Sequence, residues 1–197
     1  MEPRPDQDLA GFRHERDENA FQGHLWRVVK GTFRSPAGET FHRDIVRSPG
    51  AVAVVPILVG QASSVDVVLL KQYRAAFDEY VLEIPAGMRD VPGEPLEEAA
   101  QRELLEETGY RARSLDLLHS FYPSPGMTDA VLHIFLGTSL QFERRSGHGP
   151  EELDMEVLTM PLKDAVEMAV EGRIKDAKSV IGLLLAERSL NAGKSGS

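Results

Sequence analysis

The sequence predicts an α/β fold in which strands and helices intermix, without the regular alternation of a parallel-sheet or barrel chain. Three observations carry this. Residues 51–59 (Ala-Val-Ala-Val-Val-Pro-Ile-Leu-Val) are continuously apolar, and Val65–Gln72 repeats the pattern after a Gly60–Ser64 turn, as expected of strands covered on both faces. Residues 95–108 have helical spacing instead, with Leu96, Ala99, Ala100 and Leu104 on one side. The 197 residues and 42% hydrophobic content suit one globular domain with a smaller N-terminal extension. The expected division is a tail and β extension over 1–48, a main domain over 49–190 and a disordered tail over 191–197.

Residues 1–19 are polar and read as mobile at the start. Residues 20–48 read as two strands, His24–Lys30 and Glu39–Val46, joined through Ser35-Pro36-Ala37-Gly38. Pro56 suits an edge or a bulge better than a central strand. Tyr80–Ile84, Arg113–Phe121, Ala130–Leu140 and Val157–Pro161 read as further strands. Polar residues 143–152 with Gly147 and Gly149 read as a flexible loop. Leu162–Glu171, stopped by Gly172, and Ser179–Leu190 read as helices.

Composition excludes several classes. Without cysteine there are no disulfides and no thiolate metal sites. A net charge of -9 argues against nonspecific nucleic-acid binding. Met1-Glu2-Pro3-Arg4-Pro5-Asp6 is charged and proline-bearing, unlike a secretory leader, and no apolar run is long enough to span a membrane. A cytoplasmic protein is expected.

The most informative stretch is Arg102-Glu103-Leu104-Leu105-Glu106-Glu107-Thr108-Gly109, with Gly87 and Glu94 upstream. On a helix Glu103, Glu106 and Glu107 share about one turn, where like charges repel by a few tenths of a kcal/mol per exposed pair. A solvated acidic face is the bland reading of such a run. Three details oppose it: Arg102 can hold a neighbouring carboxylate by a bidentate contact, Gly87 follows a strand end, and Gly109 stands where a helix C-cap glycine belongs. Oxygen ligands alone suit a hard cation, Mg2+ or Mn2+.

These residues resemble the Nudix box, G-x5-E-x7-R-E-U-x-E-E-x-G-U with U aliphatic. Every fixed residue is present: Gly87, Glu94, Arg102, Glu103, Glu106, Glu107 and Gly109. The loop Met88–Gly93 carries six residues rather than five, and Tyr110 fills the last aliphatic position. The flanks resemble the ADP-ribose pyrophosphatase subfamily: Gln72-Tyr73-Arg74, then Leu82-Glu83-Ile84-Pro85-Ala86 before the box, and Ser124-Pro125-Gly126-Met127-Thr128-Asp129 after it, with Pro125 sixteen residues beyond Gly109. The subfamily's Glu after that Asp is Ala130 here.

The resemblance implies an α/β/α sandwich with a mixed sheet, hydrolysing the diphosphate bond of ADP-ribose to AMP and ribose 5-phosphate. It implies Mg2+ or Mn2+ held by Glu103, Glu106, Glu107 and the carbonyl of Ala86, with Arg102 and Glu94 fixing those ligands. The catalytic set is Glu152, Glu106 and Arg102. Glu152 is the matching proton acceptor, with Glu151 and Asp154 as rivals. The substrate-binding set is Arg43, Arg74, Glu83, Pro125 and Asp129; Glu83 serves either substrate or the anchoring of Arg74. Trp26, the only tryptophan, suits adenine stacking or core and dimer packing equally. The partners implied are a nucleoside diphosphate substrate and a second copy of the chain, as a homodimer with exchanged N-terminal strands. The alternatives are another nucleoside diphosphate sugar or a dinucleotide as substrate, or a silent nucleotide-binding module.

Overall fold

The computed structural model describes residues 11–60, 64–145 and 154–194. The chain divides into two compact units, one built from the residues up to Pro49 with Ser124–Ala130, the other from Gly50–Pro123 and the residues from Val131 onward.

The N-terminal unit holds an antiparallel sheet of three strands in the order β1 (Arg13–Gln22), β2 (Arg27–Arg34) and β3 (Thr40–Arg47). The sequence reading anticipated the last two and missed β1. That strand is RHERDENAFQ, exposed along nearly its whole length, so it carries no apolar alternation. Its ladder to β2 runs from Arg13↔Arg34 to Gln22↔Arg27, and ion pairs hold it from the side: Arg34 to Glu15 at 2.6 Å and Arg47 to Asp17 at 2.9 Å. Phe33 stacks on Phe41 with ring centroids 5.5 Å apart. In the Ser124–Ala130 loop, Thr128 Oγ1 donates to the Val46 carbonyl at 2.8 Å, and the Val46 N–H donates to the Met127 carbonyl at 2.9 Å.

The larger unit is built on β4 (Ala51–Val59), β5 (Val65–Arg74), β6 (Glu79–Glu83), β7 (Ala86–Met88), α1 (Leu96–Thr108), β8 (Tyr110–Arg111), β9 (Ser114–Phe121), β10 (Leu132–Thr138), β11 (Gln141–Phe142), β12 (Glu156–Pro161), α2 (Leu162–Val170) and α3 (Ala177–Lys194). The main sheet runs β12-β5-β4-β10-β9, with β6 on β5 and β7 on β4. Only β4–β10 is parallel among these pairs, so the sheet is mixed. The last helix reaches Lys194, beyond the Leu190 expected from sequence, into the segment read as a tail.

Successive β4 residues face opposite ways. Val52 and Val54 pack with Ala99, Ala100 and Leu104 of α1. Ala53, Val55 and Ile57 pack with Leu162, Ala165 and Val166 of α2 and with Leu183 and Ala186 of α3. Helices therefore cover both faces of the sheet, which is the expected α/β/α sandwich and accounts for the unbroken apolar run. Fully burying each of these leucines and isoleucines is worth about 1.5–3 kcal/mol.

Pro56 lies inside this strand and is buried, not at the edge or bulge expected. Along one side of β4, β7 pairs with residues 51–53 and β5 with 57–59. The Val54 N–H points to that side, donating to the Pro85 carbonyl at 2.9 Å, and by two-residue alternation position 56 points the same way. The missing N–H of Pro56 thus falls in the break between two partner strands and forfeits no ladder bond.

Candidate active site

α1 begins after Pro95, which is extended and has no side-chain cap, while Glu97 and Glu98 supply negative charge to its first turn. It stops at Gly109, in the left-handed region with φ 78, whose N–H donates to the Leu105 carbonyl at 2.9 Å. A side chain here would be strained, and its Cβ would lie 3.0 Å from the Phe142 ring. The apolar stripe of α1 is therefore pinned to the sheet, and the adjoining stripe carries Glu103 and Glu107 inward with it. Both are buried, at 9% and 6% exposure.

Arg102 organises the acidic turn. Its Nε and Nη2 donate to the two oxygens of Glu94 at 2.9 and 3.0 Å, a bidentate pair. Its Nη1 donates to Glu103 Oε1 at 2.6 Å and to Glu106 Oε2 at 3.4 Å. The Arg102 hydrogen bond holds the Glu94 carboxyl below its usual range. Gly87 faces this group: a Cβ at that position would overlap the Glu103 carboxylate. The backbone at 87 can thus lie directly against the acid only because no side chain intervenes.

Glu107 accepts a 2.8 Å hydrogen bond from the Ala86 N–H. Burial pushes its carboxyl up to about 8, helped by the Glu103 charge and opposed by the Ala86 N–H, Lys178 and Arg74. Burial likewise pushes Glu103 up to about 7 against the pull of Arg102, with Glu106 and Asp90 adding to the rise. Two buried carboxyls that resist ionisation at neutral pH are what a divalent cation would relieve, and the donor set is all oxygen. By that chemistry the residues fit Mg2+ or Mn2+. Among the described residues, no three acidic or histidine side chains are gathered as a ready-made cage; Glu103 is turned to Arg102 and Glu107 to the Ala86 N–H.

Beside this cluster, Arg74 at the end of β5 donates through Nε and Nη2 to Glu83 of β6 at 2.6 and 2.7 Å. Glu83 is 3% exposed. Burial alone would raise its carboxyl, but Arg74 and Lys178 outweigh that and hold it below the usual range. Of the two roles open to Glu83, these bonds favour the anchoring of Arg74.

The other expected residues fall elsewhere. Arg43, on β3, is exposed; its Nη1 donates to the His42 carbonyl at 2.7 Å and its guanidinium sits 5.0 Å from the Phe41 ring centroid. Pro125 is exposed in a turn whose Met127 and Thr128 N–H groups both donate to the Ser124 carbonyl at 3.0 Å. Asp129 accepts from the Ser48 N–H at 3.0 Å and from Arg47 Nη1 at 3.2 Å, so both oxygens are engaged in bracing the loop. These three belong to the N-terminal unit. Trp26, in the same unit, is 53% exposed. Glu151 and Glu152 lie outside the described residues; Asp154 accepts a 2.6 Å hydrogen bond from the Tyr80 hydroxyl.

Sequence reasoning missed Asp176, Lys178 and Ser179, which join the start of α3 to Glu83 and Ile84. Asp176 followed three residues later by Ser179 was a visible cap pattern. The contact of Lys178 with a residue 95 positions away left no local signal.

A mixed sheet between helix layers, with an arginine-clamped acidic turn running from Gly87 to Gly109, defines the architecture and motif of one family. A profile of the NUDIX domain matches residues 47–181, more than half of the chain, and the protein belongs to the Nudix family. It is similar to the methanol dehydrogenase activator of Bacillus methanolicus, 33% identical over 168 residues, or 85% of this chain and 88% of that one. It is also similar to the ADP-ribose pyrophosphatase of Bacillus subtilis (strain 168), 33% identical over 179 residues, or 90% and 94% of the two chains. A solved structure described as an ADP compounds hydrolase matches with a TM-score of 0.79 at 23% identity, covering 95% of this chain and 98% of that one, a likeness of fold.

Proposed function

We propose that the protein is a metal-dependent pyrophosphohydrolase that cleaves the diphosphate bond of ADP-ribose, giving AMP and ribose 5-phosphate. The observation that carries the reading is the pair of buried carboxyls, Glu103 and Glu107, set on one turn of α1 beside an arginine clamp and the Ala86 N–H. Two such groups on one turn are destabilising unless a cation joins them. Likeness over most of its length to an ADP-ribose pyrophosphatase supports the substrate.

Glu103, Glu106, Glu107 and the carbonyl of Ala86 would hold the Mg2+ or Mn2+. When bound, the cation neutralises diphosphate charge and acidifies a water. The chain's own residues do the rest. Arg102 and Glu94 keep Glu103 and Glu106 from rotating away. Arg74, gripped by Glu83, offers its guanidinium to a phosphate. Glu152 takes the proton of the attacking water, whose oxygen bonds to phosphorus as the bridging P–O bond breaks. We place the protein in the cytoplasm as a homodimer with exchanged N-terminal strands. Exposed Phe21, Leu25 and Trp26 on the N-terminal unit support the dimer, and light scattering tests it.

The test is a Mg2+-supplemented panel of ADP-ribose, another nucleoside diphosphate sugar and a dinucleotide, read as phosphate after phosphatase coupling. ADP-ribose should be turned over fastest, and Glu107→Gln should abolish nearly all of it in a folded protein. Ala130 and the six-residue loop favour a broader substrate range as the second reading; an inert ADP-ribose beside an active nucleotide sugar would establish it. No turnover of any member would leave a binding module.

A further inference from the structure

Lys178 is the second residue of α3 and lies outside the acidic turn of α1. Its side chain is 12% exposed, and it stands at a helix N-terminus, where the backbone dipole disfavours a cation. A cationic side chain in such a place calls for carboxylate partners. Two are present: Asp176 Oδ2, 3.0 Å away, and Glu83 Oε2, to which Nζ hydrogen-bonds.

The same turn grips the residue that follows Glu83 in the chain. Asp176 Oδ2 accepts from the Ser179 N–H at 2.9 Å and from Ser179 Oγ at 2.5 Å. Ser179, fully buried, accepts in turn from the Ile84 N–H at 2.8 Å. The start of α3 thus holds the segment 83–86 at two successive residues. Each end of that segment holds a functional group: Glu83 holds Arg74, and the Ala86 N–H holds Glu107. Glu83 Oε2 is shared between Lys178 Nζ and Arg74 Nη2, so one carboxylate is clamped from two elements. Arg74 keeps 40% of its side chain exposed, and its Nη1 has no hydrogen-bond partner among the described residues.

We infer that Lys178 is a positioning residue: by clamping Glu83 together with Arg74, it fixes the guanidinium of Arg74 to receive the anionic diphosphate of the substrate. This rests on the proposed hydrolysis for its functional meaning, though not for its geometry. Lys178 acts through Arg74 and does not touch substrate itself.

Two measurements test it, one of which needs no substrate. In the first, exchange of the Arg74 Nε–H with solvent is followed by 15N NMR; Lys178→Met should accelerate it at least about tenfold, the loss of one hydrogen bond between charged groups, and Lys178→Arg should restore most of the protection. In the second, Lys178→Met should raise KM for ADP-ribose about tenfold with kcat within about threefold, while in an Arg74→Ala background the same change should add less than about twofold. Unchanged Arg74 exchange, or a KM effect that persists in full without Arg74, would overturn the assignment. If Lys178→Met does not fold, Lys178→Gln carries the same comparisons. A wild-type protein inert towards ADP-ribose would sink the proposed function alone, and the exchange measurement would still decide the role of Lys178.

Discussion

Replacing Glu107 by Gln should stabilise the metal-free protein above neutral pH and leave it nearly unchanged near pH 4.5. The carboxyl is 6% exposed and rises from 4.5 to about 8 in the folded chain, chiefly through burial. Below 4.5 the folded and unfolded chains both keep the proton, so the group exacts no penalty. Between 4.5 and about 8 the unfolded chain releases it and the folded chain retains it, so stability falls by about 1.4 kcal/mol per pH unit. The loss is complete above about 8, where that interval bounds it at about 5 kcal/mol. Relaxation and water entry around the charge should leave a part of that, on the order of a few kcal/mol. Glutamine never ionises, and its side-chain oxygen can still accept the Ala86 N–H, so the variant escapes the loss. Urea unfolding in EDTA at pH 5 and pH 8.5 measures the difference, with the m-value as a check on two-state behaviour. Added Mg2+ should then favour the wild type, by about 2.7 kcal/mol at a hundredfold excess over its Kd, and the variant much less. A glutamine variant less stable than wild type at pH 8.5 in EDTA, or an equal gain from Mg2+ in both, would refute the reasoning.

Other outcomes follow from neighbouring residues. Gly87→Ala should displace the Glu103 carboxylate that its Cβ would overlap and lower turnover by about 100-fold, with circular dichroism little changed. Gly109→Ala should lower the melting temperature through at least about 1 kcal/mol of left-handed strain, because φ is 78 and the Phe142 ring is close; an unchanged melt would contradict that. Ser179→Ala leaves the Ile84 N–H without its acceptor and should destabilise by about 1–3 kcal/mol in chemical denaturation. Glu152→Gln should cut turnover by about 10²–10⁴-fold while leaving Mg2+-induced stabilisation intact; loss of that stabilisation would move Glu152 from proton acceptor to cation ligand.

The sheet was legible because β4 and β5 are apolar on both faces, and α1 because its stripe, spacing and closing glycine agree. The acidic turn was legible for the same local reason: Arg102, Glu103, Glu106 and Glu107 meet at helical spacing, and the Arg102 bonds to Glu94, Glu103 and Glu106 join residues close in sequence. β1 was not legible because backbone pairing and surface ion pairs hold it, and neither leaves an apolar pattern. Pro56 misled because a residue's preference for an edge says nothing about a gap between two partner strands inside a sheet. Lys178 was invisible because its meaning depends on a carboxylate 95 residues away. Local chemistry announces itself in sequence; compensation across the fold does not.

The forked grip of Arg102 on Glu94 has a consequence for how this protein can diverge. Glu94 is tethered from the helix by two bonds from Arg102, while the loop that leads to it adds a longer 3.3 Å bond from the Glu94 N–H to the Val91 carbonyl and an Asp90 carboxylate 3.7 Å from Arg102. A change of length between Asp90 and Gly93 would therefore give up the loop's weaker contacts and keep the forked pair that fixes Glu94. The stretch is free to explore new lengths, and with them new neighbours for an incoming nucleotide, while the machinery behind it stays as it was.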